Sequence, residues 1–113
     1  MLLDYLRAAQ EAHDYAARLW EGAPDLPDEP TRRHEAARLD SEMWLQQKKL
    51  LIVATAPLRS ASVAWSELLS SALEHSSSTE TSFWNFIEPT QSEFLDAARV
   101  DLGIVDEPER RPA

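Results

Sequence analysis

Leu50-Leu51-Ile52-Val53-Ala54 is the stretch on which the fold turns. Consecutive apolar residues, two of them β-branched, read equally well as a buried strand or as part of a buried helix. No second run in the chain offers a strand partner, and a lone strand leaves its backbone N–H and C=O groups unpaired. Read backwards, the stretch continues a helical stripe of Ala36, Leu39, Met43, Leu50 and Val53, interrupted by polar Gln46. Trp44, Leu51 and Ile52 add a second apolar edge. The stretch is therefore read as helix. A helix apolar nearly all round over 43–54 belongs at the centre of a bundle or at an interface.

Outward from this point the punctuation agrees. The chain has only two glycines, Gly22 and Gly103, and each stands where a helical pattern stops. Glycine adopts the left-handed backbone that ends helices without a steric penalty. A first helix is predicted over Leu2 to Glu21, with Leu2, Tyr5, Ala9, Ala12, Ala16 and Leu19 on one stripe and Leu6, His13 and Trp20 widening it. The connector 23–30 carries Pro24, Pro27 and Pro30, which restrict it to extended and turn conformations. The second helix starts with Asp28 or Thr31 as N-cap.

Thr55-Ala56-Pro57 breaks the pattern, with Thr55 able to cap a third helix that ends near Glu74 or His75. Either the chain reverses here, or the second and third helices form one long helix kinked at Pro57. The third helix is read with Leu58, Ala61, Trp65, Leu68 and Ala72 inward and Ser60, Ser66, Ser70 and Ser71 outward. A serine-rich linker follows, and Ser77 with Glu80 reads as a capping box that opens the fourth helix. Its aromatic start, Phe83, Trp84 and Phe86, precedes an interruption at Pro89 and a second capping box, Thr90 with Glu93. Phe94, Leu95, Ala98 and Leu102 complete its stripe. The expectation is an all-α antiparallel bundle of four helical segments, one domain over 1–105, with an acidic, proline-containing tail at 106–113.

The 113 residues carry a net charge of −9 and no cysteine, which excludes thiolate metal sites and cysteine nucleophiles. Charge alternates along the chain. Residues 1–30 hold seven acids and two bases, 31–60 three acids and six bases, and 61–113 ten acids and three bases. The expectation is that the basic middle helix turns its charges toward acidic neighbours. The longest nearly apolar run, Leu50 to Leu58, is far shorter than the roughly 20 residues that span a bilayer. The acidic start, Met-Leu-Leu-Asp, has no basic n-region, so no secretion signal is read and a cytoplasmic location is expected.

Signs of catalysis are absent. His13, His34 and His75 have neither a glutamate three residues before them nor a second histidine four residues on, the spacings a helical metal site uses. No nucleophile elbow, phosphate loop or dinucleotide fingerprint is present. No catalytic residue, cofactor or metal ligand is therefore assigned, and an enzyme is not expected. Arg32, Arg33, His34 and Arg38 form a basic patch at a helix start, but the net charge disfavours nucleic acid as a partner.

The segment Ser92-Glu93-Phe94-Leu95-Asp96-Ala97-Ala98-Arg99-Val100-Asp101-Leu102-Gly103-Ile104, with the Ala56-Pro57 break before it, resembles a recurring ending in uncharacterised small helical proteins of actinobacteria and their phages. The similarity covers about the last 75 residues. The resemblance implies a kinked antiparallel helix pair and assigns no activity and no functional residue.

The functional expectation is a non-catalytic protein-interaction module, with a homodimer as one form of it. Its candidate interface is Trp44, Leu51, Ile52, Phe83, Trp84 and Phe86, more apolar surface than one small bundle readily covers. The rival expectation is a small acidic inhibitor or decoy that occupies a nucleic-acid-handling protein through its carboxylates.

Overall fold

A computed structural model describes residues 2–74 and 82–103 of the chain. Four helices follow one another: α1 (Leu2–Glu21), α2 (Glu29–Val53), α3 (Ala56–Glu74) and α4 (Phe83–Leu102). Among the described residues there is no strand, and the stretch Leu50–Val53 is the last turn of α2. The reason is visible in its burial: Leu50 continues the inward line of Leu39, Met43 and Gln47, while Ile52 and Val53 point away.

Local chemistry sets the ends. Gly22, at φ 68°, closes α1 with paired bonds, its own N–H to Leu19 C=O (3.2 Å) and Ala23 N–H to Arg18 C=O (3.1 Å). This is the Schellman arrangement, which satisfies carbonyls the helix leaves open. Gly103, at φ 71°, ends α4 in the same left-handed conformation. Asp28 is the N-cap of α2, in extended conformation, and Pro30 lies in its first turn.

The chain reverses after α2, so the single kinked helix is excluded. Ala54 is extended (φ −84°, ψ 151°), and Gln47 Nε2 donates to Ser62 Oγ (3.2 Å), joining residues equally far from the turn. The Thr55 carbonyl accepts the Arg59 N–H at the start of α3, whereas the Thr55 hydroxyl donates to Asp101 Oδ1 of α4 (2.6 Å). The α2–α3 turn is thereby fastened to the last turn of α4.

α4 begins after Ser82, whose Oγ accepts the Asn85 N–H (3.1 Å). The Ser77–Glu80 capping box lies outside the described residues. Pro89 does not interrupt the helix, and the box at Thr90 and Glu93 is not used. A proline here removes one backbone donor, to the Asn85 carbonyl, but the turns on either side are held by Phe83, Ile87 and Phe94 in the core.

Helix spacing follows residue size. Ala8, Ala9, Ala12 and Ala16 are buried on α1 and let α2 and α3 approach closely. α4 packs on α3, approaches the α1 backbone at few points and does not reach α2. Large rings fill the wider α1–α4 gap: Tyr5 on Phe94 (centroids 5.3 Å), His13 on Phe83 (5.1 Å), and Trp20 on Phe83 (5.7 Å) and Phe86 (4.8 Å). Tyr5, Trp65 and Phe94 meet at the centre.

Polar groups stitch this centre. The Tyr5 hydroxyl donates to the Ser62 carbonyl (3.0 Å) and shares a hydrogen bond with Ser66 Oγ (2.7 Å), and the Ser62 hydroxyl donates to the Arg59 carbonyl (2.8 Å). Ser66 is thus fully buried rather than on the outer face of α3, because it partners a phenol that burial would otherwise strand. Likewise Gln47, not Gln46, is the polar residue in the α2 seam. Val53 and Leu102, expected on inward stripes, are exposed. The inward line of α2 runs through Leu50 to Ala54, against Leu58 of α3, and this leaves Val53 one position off it.

Candidate functional site

The six residues read as an interface do not share one face. Trp44 is half-buried along the middle of α2, packed against the core. Leu51 is half-buried and Ile52 is 78 % exposed at the α2–α3 turn. Phe83, Trp84 and Phe86 stand on the first turn of α4, at the opposite end of the bundle. Phe83 is not surface at all. At 4 % exposure it fills the space between His13 and Trp20, since N1 of α4 faces inward on the same line as Ile87 and Phe94. Phe86 is half-buried against Trp20, and Trp84, one step round the helix from Phe83, is left 60 % exposed.

The aromatic end is also where carboxylates gather. Asp14, Glu21, Asp25, Asp28, Glu29 and Glu35 lie on the adjoining parts of α1, the connector and α2. The arginines among them are engaged. Arg18 reaches Asp25 (3.0 Å), Arg33 reaches Glu29 (3.1 Å), Arg38 grips both oxygens of Glu35 (3.0 and 2.7 Å), and Arg32 donates to the Pro27 carbonyl (2.7 Å). Hydrogen bonding by Arg18 holds the Asp25 carboxyl below the usual carboxylate range, and Arg38 does the same for Glu35. Arg32, Arg33 and Arg38 therefore make their bonds within their own helix and its connector, while Glu11 of α1 is close enough to Arg38 to favour its charge. The basic patch Arg32, Arg33, Arg38 is correspondingly occupied by its own neighbours.

Beneath the connector is an open cleft of about 840 Å³, lined by Leu19, Leu26, Ala36 and Leu73, with the Arg33–Glu29 pair on its wall. Asp40 lines it too, with Oδ1 shielded from solvent and without a hydrogen-bond partner among the described residues.

The other end of the bundle has the opposite character. Val53 (61 % exposed), Ile52, Val100 and Leu102 are all exposed there, and the Thr55–Asp101 hydrogen bond brings the α2–α3 turn against the last turn of α4, although α2 and α4 themselves do not touch. Leu3, on the first turn of α1, is exposed at the same end. Sequence reasoning found Ile52 but missed Val53, Val100 and Leu102. Val100 falls off the Phe94–Ala98 stripe, and that offset was the available signal. Lys48, Lys49 and Arg59 stand close behind, none with a carboxylate in ion-pair range among the described residues.

Among the described residues no helix is long and apolar enough to cross a membrane. Comparison with known protein families, with curated proteins and with solved structures finds no match for this chain. The fold defines a four-helix bundle with exposed apolar side chains near both ends, Leu45 (48 % exposed) within α2 being exposed away from either end.

Proposed function

We propose that this chain is a non-catalytic protein-interaction module that docks a protein partner through the exposed aromatic end of α4. The observation that carries the reading is Trp84. Trp20 and Trp65 are buried and Trp44 is half-buried in packing, while Trp84 keeps 60 % of its surface open on a capped first helical turn. Tryptophan is enriched among the few residues that dominate binding energy, and a preformed position keeps the entropy cost of docking low.

Trp84→Ala leaves the core untouched and is expected to remove at least about 2 kcal/mol of binding, roughly thirtyfold in affinity. Affinity capture from the native host, with the wild-type chain and the variant side by side, reads this as proteins lost only from the variant. Recovery of the same set by both chains would end the reading. A second copy of the chain is one candidate partner, and a light-scattering mass of one chain at micromolar concentration removes it.

The carboxylates around the same end favour the acidic decoy as a second reading. Binding by carboxylates to a basic partner weakens steeply with salt, whereas docking of Trp84 persists in high salt.

A further inference from the structure

The end of the bundle opposite Trp84 has a layered construction. Outermost are the exposed Ile52 and Val53 on the last turn of α2 and Val100 and Leu102 on the last turn of α4, at the same end of the bundle, with the α2–α3 turn between them bonded to α4 through Thr55 and Asp101. Four residues back along α2, about 6 Å at 1.5 Å per residue, come Lys48 and Lys49. Arg59 stands at the same depth on the first turn of α3. These three cations have no ion-pair partner among the described residues, in contrast to Arg18, Arg33 and Arg38 at the other end. Of the carboxylates nearby, Asp96 is paired with Arg99 (3.0 Å) and Asp4 stands on the first turn of α1, while Asp101, between Val100 and Leu102, accepts from the neutral Thr55 hydroxyl and keeps its charge, one against the three cations.

We propose that this tip docks on an anionic lipid surface, the four apolar side chains entering the headgroup boundary and Lys48, Lys49 and Arg59 lying at phosphate depth. Apolar residues outermost with cations one turn behind match the order of a bilayer surface met end-on, acyl boundary first and charged headgroups outside it. A second copy meeting tip to tip would bring the two sets of unpaired cations together, so like charge opposes that occupant. The acidic end does not prevent docking. It lies about 30 Å away along the helices, beyond the Debye length of about 8 Å at physiological salt.

The proposal is independent of the protein partner at Trp84, and Trp84→Ala is expected to dock on lipid as the wild type does. The test is flotation of the full chain with phosphatidylcholine vesicles containing phosphatidylserine, and with phosphatidylcholine alone. Binding is expected only with the anionic vesicles, and it weakens as salt rises. Lys48→Ala with Lys49→Ala, both exposed, is expected to lower the partition about thirtyfold, at roughly 1 kcal/mol per charge near the surface. Ile52→Ser with Val53→Ser is expected to lower it further while circular dichroism stays helical. Arg32→Ala with Arg33→Ala, at the other end, is expected to bind as wild type. No binding to anionic vesicles, equal binding by the lysine variant, or equal loss in the Arg32/Arg33 variant would overturn the proposal. So would binding that appears only after residues 104–113 are removed, which would make the chain's own C-terminal segment the occupant. A wild-type dimer that Ile52→Ser with Val53→Ser converts to monomer would make the occupant a second copy, and also overturn it.

Discussion

Tyr5 concentrates the specificity of the core in one side chain. Its ring closes the aromatic trio with Trp65 and Phe94, and its hydroxyl is satisfied only by Ser62 and Ser66 of α3. Burial pushes the phenol well above its ordinary value, opposed in part by the Ser66 hydrogen bond. Below about pH 10 folded and unfolded chains both hold the phenolic proton, so this contribution to stability is fully present. Above that pH the unfolded phenol ionises first, and stability falls by up to about 1.4 kcal/mol per pH unit until the buried phenol ionises as well. Tyr5→Phe is expected to cost about 1–3 kcal/mol at neutral pH, because it leaves Ser66 without its partner, and to flatten the alkaline decline. Urea unfolding at pH 7 and above pH 10 checks both, and an unchanged alkaline slope in the variant would place its origin elsewhere. Ser66 also marks a limit of sequence reading. Apolar residues occupy both edges of α3, so a stripe through Leu58, Trp65 and Leu69 that includes Ser62 and Ser66 is as regular as one that excludes them. Only the phenol on another helix decides between them. The adjacent Gln46 and Gln47 pose the same ambiguity, settled by the Ser62 hydroxyl opposite Gln47.

At the level of whole helices, features encoded by adjacent residues were legible and features set by neighbouring helices were not. Gly22 and Gly103 stop their helices as read, since a left-handed residue acts within its own turn. The fate of Pro57 and Pro89 depended on packing. Pro57 sits in the first turn of α3, where its missing N–H costs nothing, so the chain could reverse just before it. Pro89 sits inside α4, where its missing N–H leaves the Asn85 carbonyl without its helical donor, and the helix continues because Ile87 and Phe94 anchor both sides. Pro89 is exposed, so replacing it opens no cavity. Pro89→Ala is expected to restore the bond and raise stability by about 1–2 kcal/mol, the relief of an interior proline less the entropy the proline removes from the unfolded chain. A higher urea midpoint with an unchanged slope checks this. A lower midpoint would show that the proline shapes α4 to fit α3.

The whole molecule is polarised along its length, and the sequence concealed this because the chain runs back and forth. The basic middle third sends Arg32, Arg33 and Arg38 to the acidic end and Lys48, Lys49 and Arg59 to the apolar tip, so charge counted along the chain averages over both. Exposed apolar residues were hidden as well: Val53 looks like core until the buried line of α2 is seen to run from Leu50 to Ala54, and Leu102 until it is found in the last, exposed turn of α4. The four helices are also unequal in their attachments. α3 touches α1, α2 and α4 and buries residues on three sides, from Leu58 through Trp65 to Leu73. α4 rests on α3, meets α1 through a few large rings, and has no contact with α2. Local opening free energies follow buried contact, so the helices should not open together. Amide hydrogen exchange under native conditions is expected to show the slowest amides of α3, around Trp65 to Leu69, exchanging only through global unfolding. Those of α4 between Ile87 and Phe94 should exchange through an opening of lower free energy. Phe94→Ala, which removes the ring joining Tyr5 and Trp65, is expected to widen that difference as well as to cost about 3–5 kcal/mol overall. Equal protection in α3 and α4 would instead make the bundle one cooperative unit, and α4 could then not be the layer that opens first.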